Sequence, residues 1–429
     1  MKRRNFLSIG SLFFGGYSIG LPSILKAESI TASKKNVINV FLAGGPSHVD
    51  LWDLKPDAPS EIRGLFKPIS TNVNGIEICE AFSNLSKRMN KCSIIRSIVN
   101  SHGDHAAFQC MTGWKPDSLK NIGGRPSIGS VVSKLHGSND PSVPAYIGLA
   151  EPTQHMPWSD AGTGGFLGQT FSPFKPSGDS IKDMMLHIES RRLYDRKNLL
   201  LQLDGLKKNM DFNSKFNSYD KYVEKSFEIL TDSKLLQALD LSGVDKALLD
   251  KYGDGKPYKY QYDGAPTNNS QLLMAKRLIQ AGARMVSLSY GRWDSHGDNF
   301  GLIKDHGSKL DQCLSALMDD LEQSNMLDNT LVIVWGEFGR TPKINKDAGR
   351  DHWPQVNSAL LFGGGLRHGQ IIGSTNRLGE YAQDRPVDFQ EVVATIYHTL
   401  GIDTSSTTIT DTTGRPQYLV DHPHMKELV

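Results

Sequence analysis

Five short apolar runs, rich in β-branched and aromatic residues, recur along the chain and predict buried strands. They cover residues 37–43, 92–99, 283–290, 330–335 and 358–362. Helical patterns lie between them, as at residues 270–281 and 310–323. The second pattern places four leucines on one face: Leu310, Leu314, Leu317 and Leu321. Alternation of this kind predicts an α/β fold with a mostly parallel central sheet flanked by helices.

Two segments depart from this alternation. Residues 180–250 are rich in Lys, Asp and Leu, contain no proline and follow a helical pattern. We expect a helical insertion there, within a single domain that extends over residues 36–429. Residues 151–176 are rich in Gly, Pro and Ser and predict an ordered loop.

The first 27 residues have the pattern of an export signal. Lys2, Arg3 and Arg4 precede an apolar stretch that ends near Leu25, before the small residue Ala27. The adjacent arginines resemble a twin-arginine signal, which predicts handling by the twin-arginine export machinery. A membrane anchor is the alternative, but the stretch is interrupted by glycines and barely reaches spanning length. We therefore expect a periplasmic or secreted protein without stable membrane insertion after cleavage.

Composition narrows the class of protein further. The chain has 429 residues, of which 38% are hydrophobic and 22% charged, as in soluble globular proteins. Its 48 basic residues against 46 acidic ones include four in the leader, so the rest of the chain is slightly acidic. Such a balance predicts no nucleic-acid partner. The four cysteines show no CxxC spacing, which argues against a disulfide scaffold or a cysteine zinc site.

Candidate chemistry follows the predicted strands, because sites in open parallel sheets form at the carboxyl ends of strands. The polar residues at these places are His48 and Asp50; His102, Asp104 and His105; Asp294 and His296; Glu337 and Arg340; and then Arg350 and His352. Imidazole with carboxylate is a ligand set for Zn²⁺, Mn²⁺ or a similar divalent ion. A single loop His or Asp is more often a turn or backbone-bonded residue. Recurrence after four strands favours a metal site.

Several motifs together resemble a known family. Residues 327–337, Leu-Asp-Asn-Thr-Leu-Val-Ile-Val-Trp-Gly-Glu, resemble the late strand of sulfatases and their alkaline phosphatase relatives, which ends in a metal-binding acidic residue. The pattern Trp293-Asp294-x-His296-x-x-Asn299 is more specific. With the segments at 165–168, 336–342, 349–353 and 362–365, it resembles the exported sulfatase-like family catalogued as domain of unknown function fifteen-oh-one. The resemblance extends from about residue 36 to the C-terminus.

This resemblance implies a divalent metal ion (Zn, Mn or Ca) and a set of ligands for it. Glu337, His352, Asp294 and His296 correspond to metal-binding positions, although Asp294 and His296 are spaced more tightly than usual. Sulfatases end the first strand in Asp-Asp, where this chain has Gly44 and Gly45. Compensating ligands would come from His48, Asp50 or Asp53.

The resemblance also implies a nucleophile that this chain lacks. Aligning Thr112-Gly113 with the sulfatase Thr-Gly places the nucleophile near residues 102–104, which contain no Ser, Thr or Cys. His102, Asp104 or His105 would then act as general base to a water, while Arg340 and Arg350 neutralise the oxyanion.

Three functions are compatible with these residues. One is a metal-dependent hydrolase of sulfate or phosphate esters, acting on a small-molecule or glycan anionic ester. Another is a non-catalytic metal- or carbohydrate-binding member of the same fold, which the missing nucleophile favours. The third, an esterase that uses Ser47, is weaker because residues 45–49 lack the Gly-x-Ser-x-Gly elbow.

Overall fold

The computed structural model describes residues 34–151, 160, 162–176, 234–255 and 264–429, together with the backbone of two paired strands, Ser11–Phe14 and Tyr17–Gly20. Most of the predicted leader, the predicted insertion up to residue 233 and part of the predicted loop at 151–176 lie outside the described residues. The leader and the insertion therefore stay predictions. In the described part of the chain, no helix is both long and apolar enough to span a bilayer.

Eight strands form the central sheet of the described chain. They are β1 Asn36–Phe41, β2 Cys92–Val99, β3 Tyr146–Gly148, β4 Met285–Ser289, β5 Thr330–Trp335, β6 Asn357–Gly363, β7 Gln370–Ile372 and β8 Val387–Asp388. Their order is β7-β2-β6-β5-β1-β4-β3, and β8 pairs with β2 beside β7. All pairings are parallel except those of β6, which is antiparallel to both β2 and β5. The predicted α/β fold with a mostly parallel sheet is confirmed.

The predicted strands form because their side chains are buried on both faces of the sheet. In β1, Ile38 and Val40 belong to one hydrophobic cluster, and Val37 and Phe41 belong to the other. Successive side chains of a strand point to opposite faces, so a continuous apolar run fills two cores at once. All five predicted runs are strands in the structure, within a few residues of the expected bounds.

Helices cover both faces. The described helices are α1 His48–Leu51, α2 Ser60–Arg63, α3 Phe108–Thr112, α4 Ile128–Leu135, α5 Lys234–Leu239, α6 Lys246–Tyr252, α7 Ser270–Ala281, α8 Asn299–Gln323 and α9 Phe389–Thr399. α5, α7 and α8 contribute to one core, and α3, α4 and α9 contribute to the other. α7 matches the predicted helix. α8 begins eleven residues before its predicted start, where the Asp298 carboxylate accepts a hydrogen bond from the Gly301 amide.

Short elements complete the described fold. Four two-stranded ribbons pair Pro68–Ser70 with Glu77–Cys79, Gly339–Arg340 with His352–Trp353, Ser374–Thr375 with Ala382–Asp384, and Thr408–Thr410 with Pro416–Tyr418. Single turns of 3₁₀-helix occur at Glu80–Phe82, Lys120–Ile122, Gly165–Leu167, Gln169–Phe171 and Leu327–Asn329, and a longer one at Leu85–Lys91.

The antiparallel strand β6 decides which loops meet at the carboxyl edge of the sheet. The residues that follow β1, β2, β4 and β5 lie at this edge. Because β6 runs in the opposite direction, the residues that precede it, including His352, lie at the same edge. Loops that carry His and carboxylate side chains and are far apart in the sequence therefore meet at one edge of the sheet.

Candidate metal centre

Four side chains from three of these loops meet around one carboxylate oxygen. The Oδ1 atom of Asp294 lies 3.2 Å from His296 Nε2, 3.6 Å from His105 Nε2 and 3.7 Å from His352 Nε2. Ligand atoms of His105, Asp294 and His352 all lie within 4.8 Å of one another. We call these four residues the Asp294 cluster. Three imidazole nitrogens that face one carboxylate form a donor set suited to a borderline divalent cation.

Two further carboxylates hold the imidazoles from behind. Glu337 Oε1 lies 2.9 Å from His105 Nδ1, and Asp351 Oδ1 lies 2.7 Å from His296 Nδ1. An imidazole that donates its Nδ1–H to a carboxylate presents the lone pair of Nε2. Metal-ligating histidines carry such a carboxylate on the outer nitrogen, which fixes the tautomer and the ring orientation. Both contacts therefore direct Nε2 lone pairs toward Asp294.

Two buried atoms at the site have no hydrogen-bond partner among the described residues. These are His352 Nε2 and Glu337 Oε2. Leaving a buried polar atom unsatisfied costs about 1–3 kcal/mol. The orphaned His352 Nε2 belongs to the donor set itself, so the residues present fit a cation bound at the Asp294 cluster.

The charge of Asp294 is maintained by its neighbours. Burial alone would raise the pKa of this carboxyl, but the neighbouring imidazoles of His105 and His352 and the charge of Arg340 hold the pKa well below its usual range. Burial also acts to lower the pKa of His105, yet Asp294 and Glu337 outweigh it and raise the pKa of this imidazole. The carboxylate is thus ionised at any physiological pH.

Arg340 anchors Asp294 from the protein side. Its guanidinium lies 2.5 Å from Asp294 Oδ1 and also donates to the backbone carbonyls of Gly44, Gly45 and Arg350. The Arg340 side chain is 0% exposed. Because the side chain is fully buried and its donors are directed at protein acceptors, Arg340 positions Asp294. The sequence had predicted that Arg340 neutralises the oxyanion of a substrate, and this burial does not place it to do so.

Gly44 and Gly45 stand where the resemblance implies Asp-Asp, and the structure explains this departure. A Cβ on Gly44, whose φ is +105°, would lie 2.6 Å from the backbone nitrogen of Asp294. A Cβ on Gly45, at φ +74°, would collide with the ring of Phe338. The Gly44 amide instead donates to Glu337 Oε1 at 2.9 Å. A side-chain ligand therefore does not fit at Gly44 or Gly45.

The structure does not bring His48, Asp50 or Arg350 to the Asp294 cluster. Arg350 forms a bidentate ion pair with Asp50, at 2.6 and 3.0 Å, and also donates to the carbonyls of Ile62, Thr341 and Pro342. Asp50 Oδ2 accepts further hydrogen bonds from Ser47 and Asn299. These contacts use the lone pairs that a metal would need. The predicted ligand Asp50 and the predicted catalytic residue Arg350 are therefore reassigned to a buried structural pair.

His48 and Asp53 are engaged elsewhere too. His48 Nε2 lies 2.8 Å from the carbonyl of Gly379, and burial lowers the pKa of this imidazole, which keeps it neutral. Asp53 pairs with Lys55 at 3.0 Å and accepts a hydrogen bond from Thr375. Neither residue belongs to the Asp294 cluster, so the sequence-based expectation that they compensate for Gly44 and Gly45 is replaced by these contacts.

The predicted general bases separate along the loop after β2. His105 joins the Asp294 cluster, whereas His102 and Asp104 face each other at 3.7 Å, with the Asp104 side chain 85% exposed. Sequence reasoning missed two residues, Asp351 and Arg292. Asp351 lies in the 349–353 segment next to His352, and Arg292 lies two residues before Asp294. Their adjacency to predicted ligands was the available signal.

A search of curated proteins found no match. Among solved structures, the chain is similar to PsFucS1 sulfatase from Pseudoalteromonas sp., at 12% identity over 90% of this chain and 70% of that chain, with a TM-score of 0.38. It is similar to alkaline phosphatase from the Antarctic bacterium TAB5, at 12% identity over 87% and 99%, with a TM-score of 0.37. It is also similar to the C-terminal periplasmic domain of EcEptC from Escherichia coli in complex with Zn, at 9% identity over 92% of both chains, with a TM-score of 0.39.

A family model covers nearly all of the described chain. It matches residues 34–429 and is described as "Protein of unknown function (DUF1501)". The matched range includes every residue of the Asp294 cluster and both carboxylates behind it. The chain therefore belongs to the DUF1501 family.

Proposed function

We propose that the protein is a hydrolase of sulfate or phosphate esters that depends on one divalent cation held by the Asp294 cluster. The observation that carries this proposal is the convergence of three imidazole Nε2 atoms on Asp294 Oδ1 at the carboxyl edge of the sheet. Imidazole-rich donor sets suit Zn²⁺, whereas Ca²⁺ takes six to eight oxygen ligands and Mn²⁺ also prefers oxygen. The donors therefore favour zinc over manganese and calcium.

His105, His352 and Asp294 would hold the ion, with His296 as a fourth donor. A bound divalent cation polarises an ester oxygen and lowers the pKa of a bound water. Glu337 keeps the imidazole of His105 oriented, and Asp351 does the same for His296. The Phe338 ring packs against the rings of His105 and His352, at centroid distances of 5.1 and 4.5 Å, and covers one side of these two imidazoles.

A proton acceptor is needed because no serine, threonine or cysteine occupies the predicted nucleophile position. His105 has its Nδ1 on Glu337 and its Nε2 in the cluster, so it is not available as a base. We assign the general base to His102, whose Nδ1 has no hydrogen-bond partner among the described residues and faces the Asp104 carboxylate at 3.7 Å. Its role is to take the proton of the attacking water.

The first test is a screen of purified protein on aryl sulfate, aryl phosphate and aryl phosphodiester substrates with zinc or manganese added. The proposal predicts turnover that requires the metal and disappears in His352→Gln, which removes the orphaned Nε2 donor. Arg415→Gln, an exposed change in the Thr408–Tyr418 ribbon, should retain full activity. Absence of turnover on every substrate by protein that does bind metal would contradict hydrolysis.

That outcome would support the second candidate, a non-catalytic metal- or carbohydrate-binding protein. The observation that favours it is the filled space at Gly44 and Gly45, which removes the side-chain ligands that the resemblance implies. A binding protein would keep the Asp294 cluster and its metal and would show saturable glycan binding without product formation.

Glu337→Gln tests the role of the carboxylate behind His105. Glutamine keeps an oxygen for the Gly44 amide but loses the charge that orients the imidazole. We expect the affinity for zinc to fall roughly 10- to 100-fold, while the site still fills at excess metal. Competition titration against a chromophoric chelator measures this change, with the exposed Glu61→Gln as control. Complete loss of binding would instead identify Glu337 as a direct ligand, and an unchanged affinity would remove its orienting role.

A further inference from the structure

The formal charges of the site do not attract an anion without a further cation. Three carboxylates contact the cluster or belong to it: Asp294, Glu337 and Asp351. Arg340 is the buried guanidinium that compensates one of them. A divalent cation would compensate the other two and leave the site neutral. A sulfate or phosphate ester would therefore gain no net electrostatic attraction from these groups.

Arg292 lies at the opposite oxygen of the same carboxylate. Its Nη2 is 3.5 Å from Asp294 Oδ2, and its Nη1 donates to the backbone carbonyl of Asp294 at 2.8 Å. Oδ1 faces the imidazoles, so the guanidinium of Arg292 and the cluster lie on two sides of one carboxyl group. Arg292 adds one positive charge beside this carboxyl group.

The Arg292 side chain packs against the protein and is partly exposed to solvent. Gly264 packs against its Cα, Cβ and Cγ so closely that an added Cβ would lie 3.1–3.2 Å from all three atoms. The side chain is 18% exposed, whereas those of Arg340 and Arg350 are 0% exposed. Of these three arginines, Arg292 is the one whose side chain reaches solvent. A guanidinium is suited to bidentate contact with a tetrahedral oxyanion.

We propose that Arg292 binds the anionic sulfuryl or phosphoryl group of the substrate and makes the site selective for charged esters. The inference rests on the proposed function, because it assumes a cation at the Asp294 cluster. The sequence had predicted this role for Arg340 and Arg350, whose side chains are buried.

The test is isothermal titration calorimetry of inorganic sulfate and inorganic phosphate into the zinc-loaded full chain. We expect Arg292→Gln to weaken binding of both anions roughly 10- to 100-fold, as for loss of a hydrogen bond between charged groups. Arg292→Lys keeps the charge but loses the bidentate fork, and we expect an intermediate loss. Arg415→Gln removes the same charge from an exposed ribbon and should bind like the unmodified protein. Zinc content is measured on every sample.

Two results would overturn the inference while the proposed function stands. One is equal anion affinity in Arg292→Gln and the unmodified protein at equal zinc content. The other is zinc-loaded protein that binds neither anion. Failure of the proposed function has other signatures: the unmodified protein takes up no zinc, or the zinc-loaded protein shows no turnover in the substrate screen. Retained folding of Arg292→Lys keeps the comparison valid if Arg292→Gln is unstable.

Discussion

Replacing Asp294 with asparagine is expected to abolish metal binding and, with it, hydrolytic activity. The amide keeps the shape of the side chain but loses the charge on which three imidazole nitrogens converge. The effect should exceed the roughly 10- to 100-fold loss expected when only an orienting carboxylate is removed. Zinc titration followed by chelator competition measures it, and the exposed Asp347→Asn on a neighbouring loop is the matched control.

The same substitution should also lower stability, because Arg340 then loses its charged partner in a buried position. Breaking a buried ion pair costs about 3–5 kcal/mol. His352→Gln separates the two effects, since it removes a donor and leaves the pair between Arg340 and Asp294 intact. We expect this second variant to lose metal affinity and to unfold at nearly the same denaturant concentration as the unmodified metal-free protein. Zinc affinity that survives in both variants would contradict the proposed centre.

Replacing Arg350 with methionine is expected to destabilise the fold by about 3–5 kcal/mol, since it leaves Asp50 buried and unpaired. The Arg350 and Asp50 side chains are 0% and 1% exposed, and the guanidinium also satisfies three backbone carbonyls. Domains have only about 5–15 kcal/mol of stability, so the loss should be plain in guanidinium unfolding. Lys91→Met breaks the surface pair with Glu322 and should cost at most about 1 kcal/mol.

A loss in Arg350→Met as small as in Lys91→Met would contradict the structural role. The double change Asp50→Asn with Arg350→Met should cost less than the sum of the single changes, because no charge is then left without a partner. Arg350 also donates to the carbonyls of Thr341 and Pro342, which lie in the segment before Asp351 and His352. We therefore expect the metal affinity of Arg350→Met to fall only as an indirect effect of the loosened segment.

The sequence was informative about strands because buried strands of a parallel sheet are continuous apolar runs. The run at 37–43 fills two cores, and this is visible as a pattern without knowledge of its neighbours. Strand β3, Tyr146–Gly148, was missed because three residues are too few to form a pattern. The antiparallel direction of β6 was also beyond reach, since a buried run reads the same in both directions.

The candidate site was predicted in position but not in the roles of its residues. The recurrence of His and carboxylates after strands indicated the carboxyl edge where the Asp294 cluster lies. Asp50 and Arg350 had the same appearance in the sequence, yet they pair across 300 residues and bury each other. Loop arginines look alike until burial is known. The Arg292 side chain is 18% exposed and the Arg340 side chain is fully buried. This difference is the reason why the proposed substrate contact is assigned to Arg292.

The measurement that tests the central claim most directly is the divalent metal content of the purified chain. The protein is incubated with zinc or manganese, freed of unbound ions by gel filtration and analysed by inductively coupled plasma mass spectrometry. The convergence of His105, His296 and His352 on Asp294 predicts one bound ion per chain in the unmodified protein and none in Asp294→Asn. Unmodified protein that retains no divalent ion, or an equal content in both proteins, would contradict it.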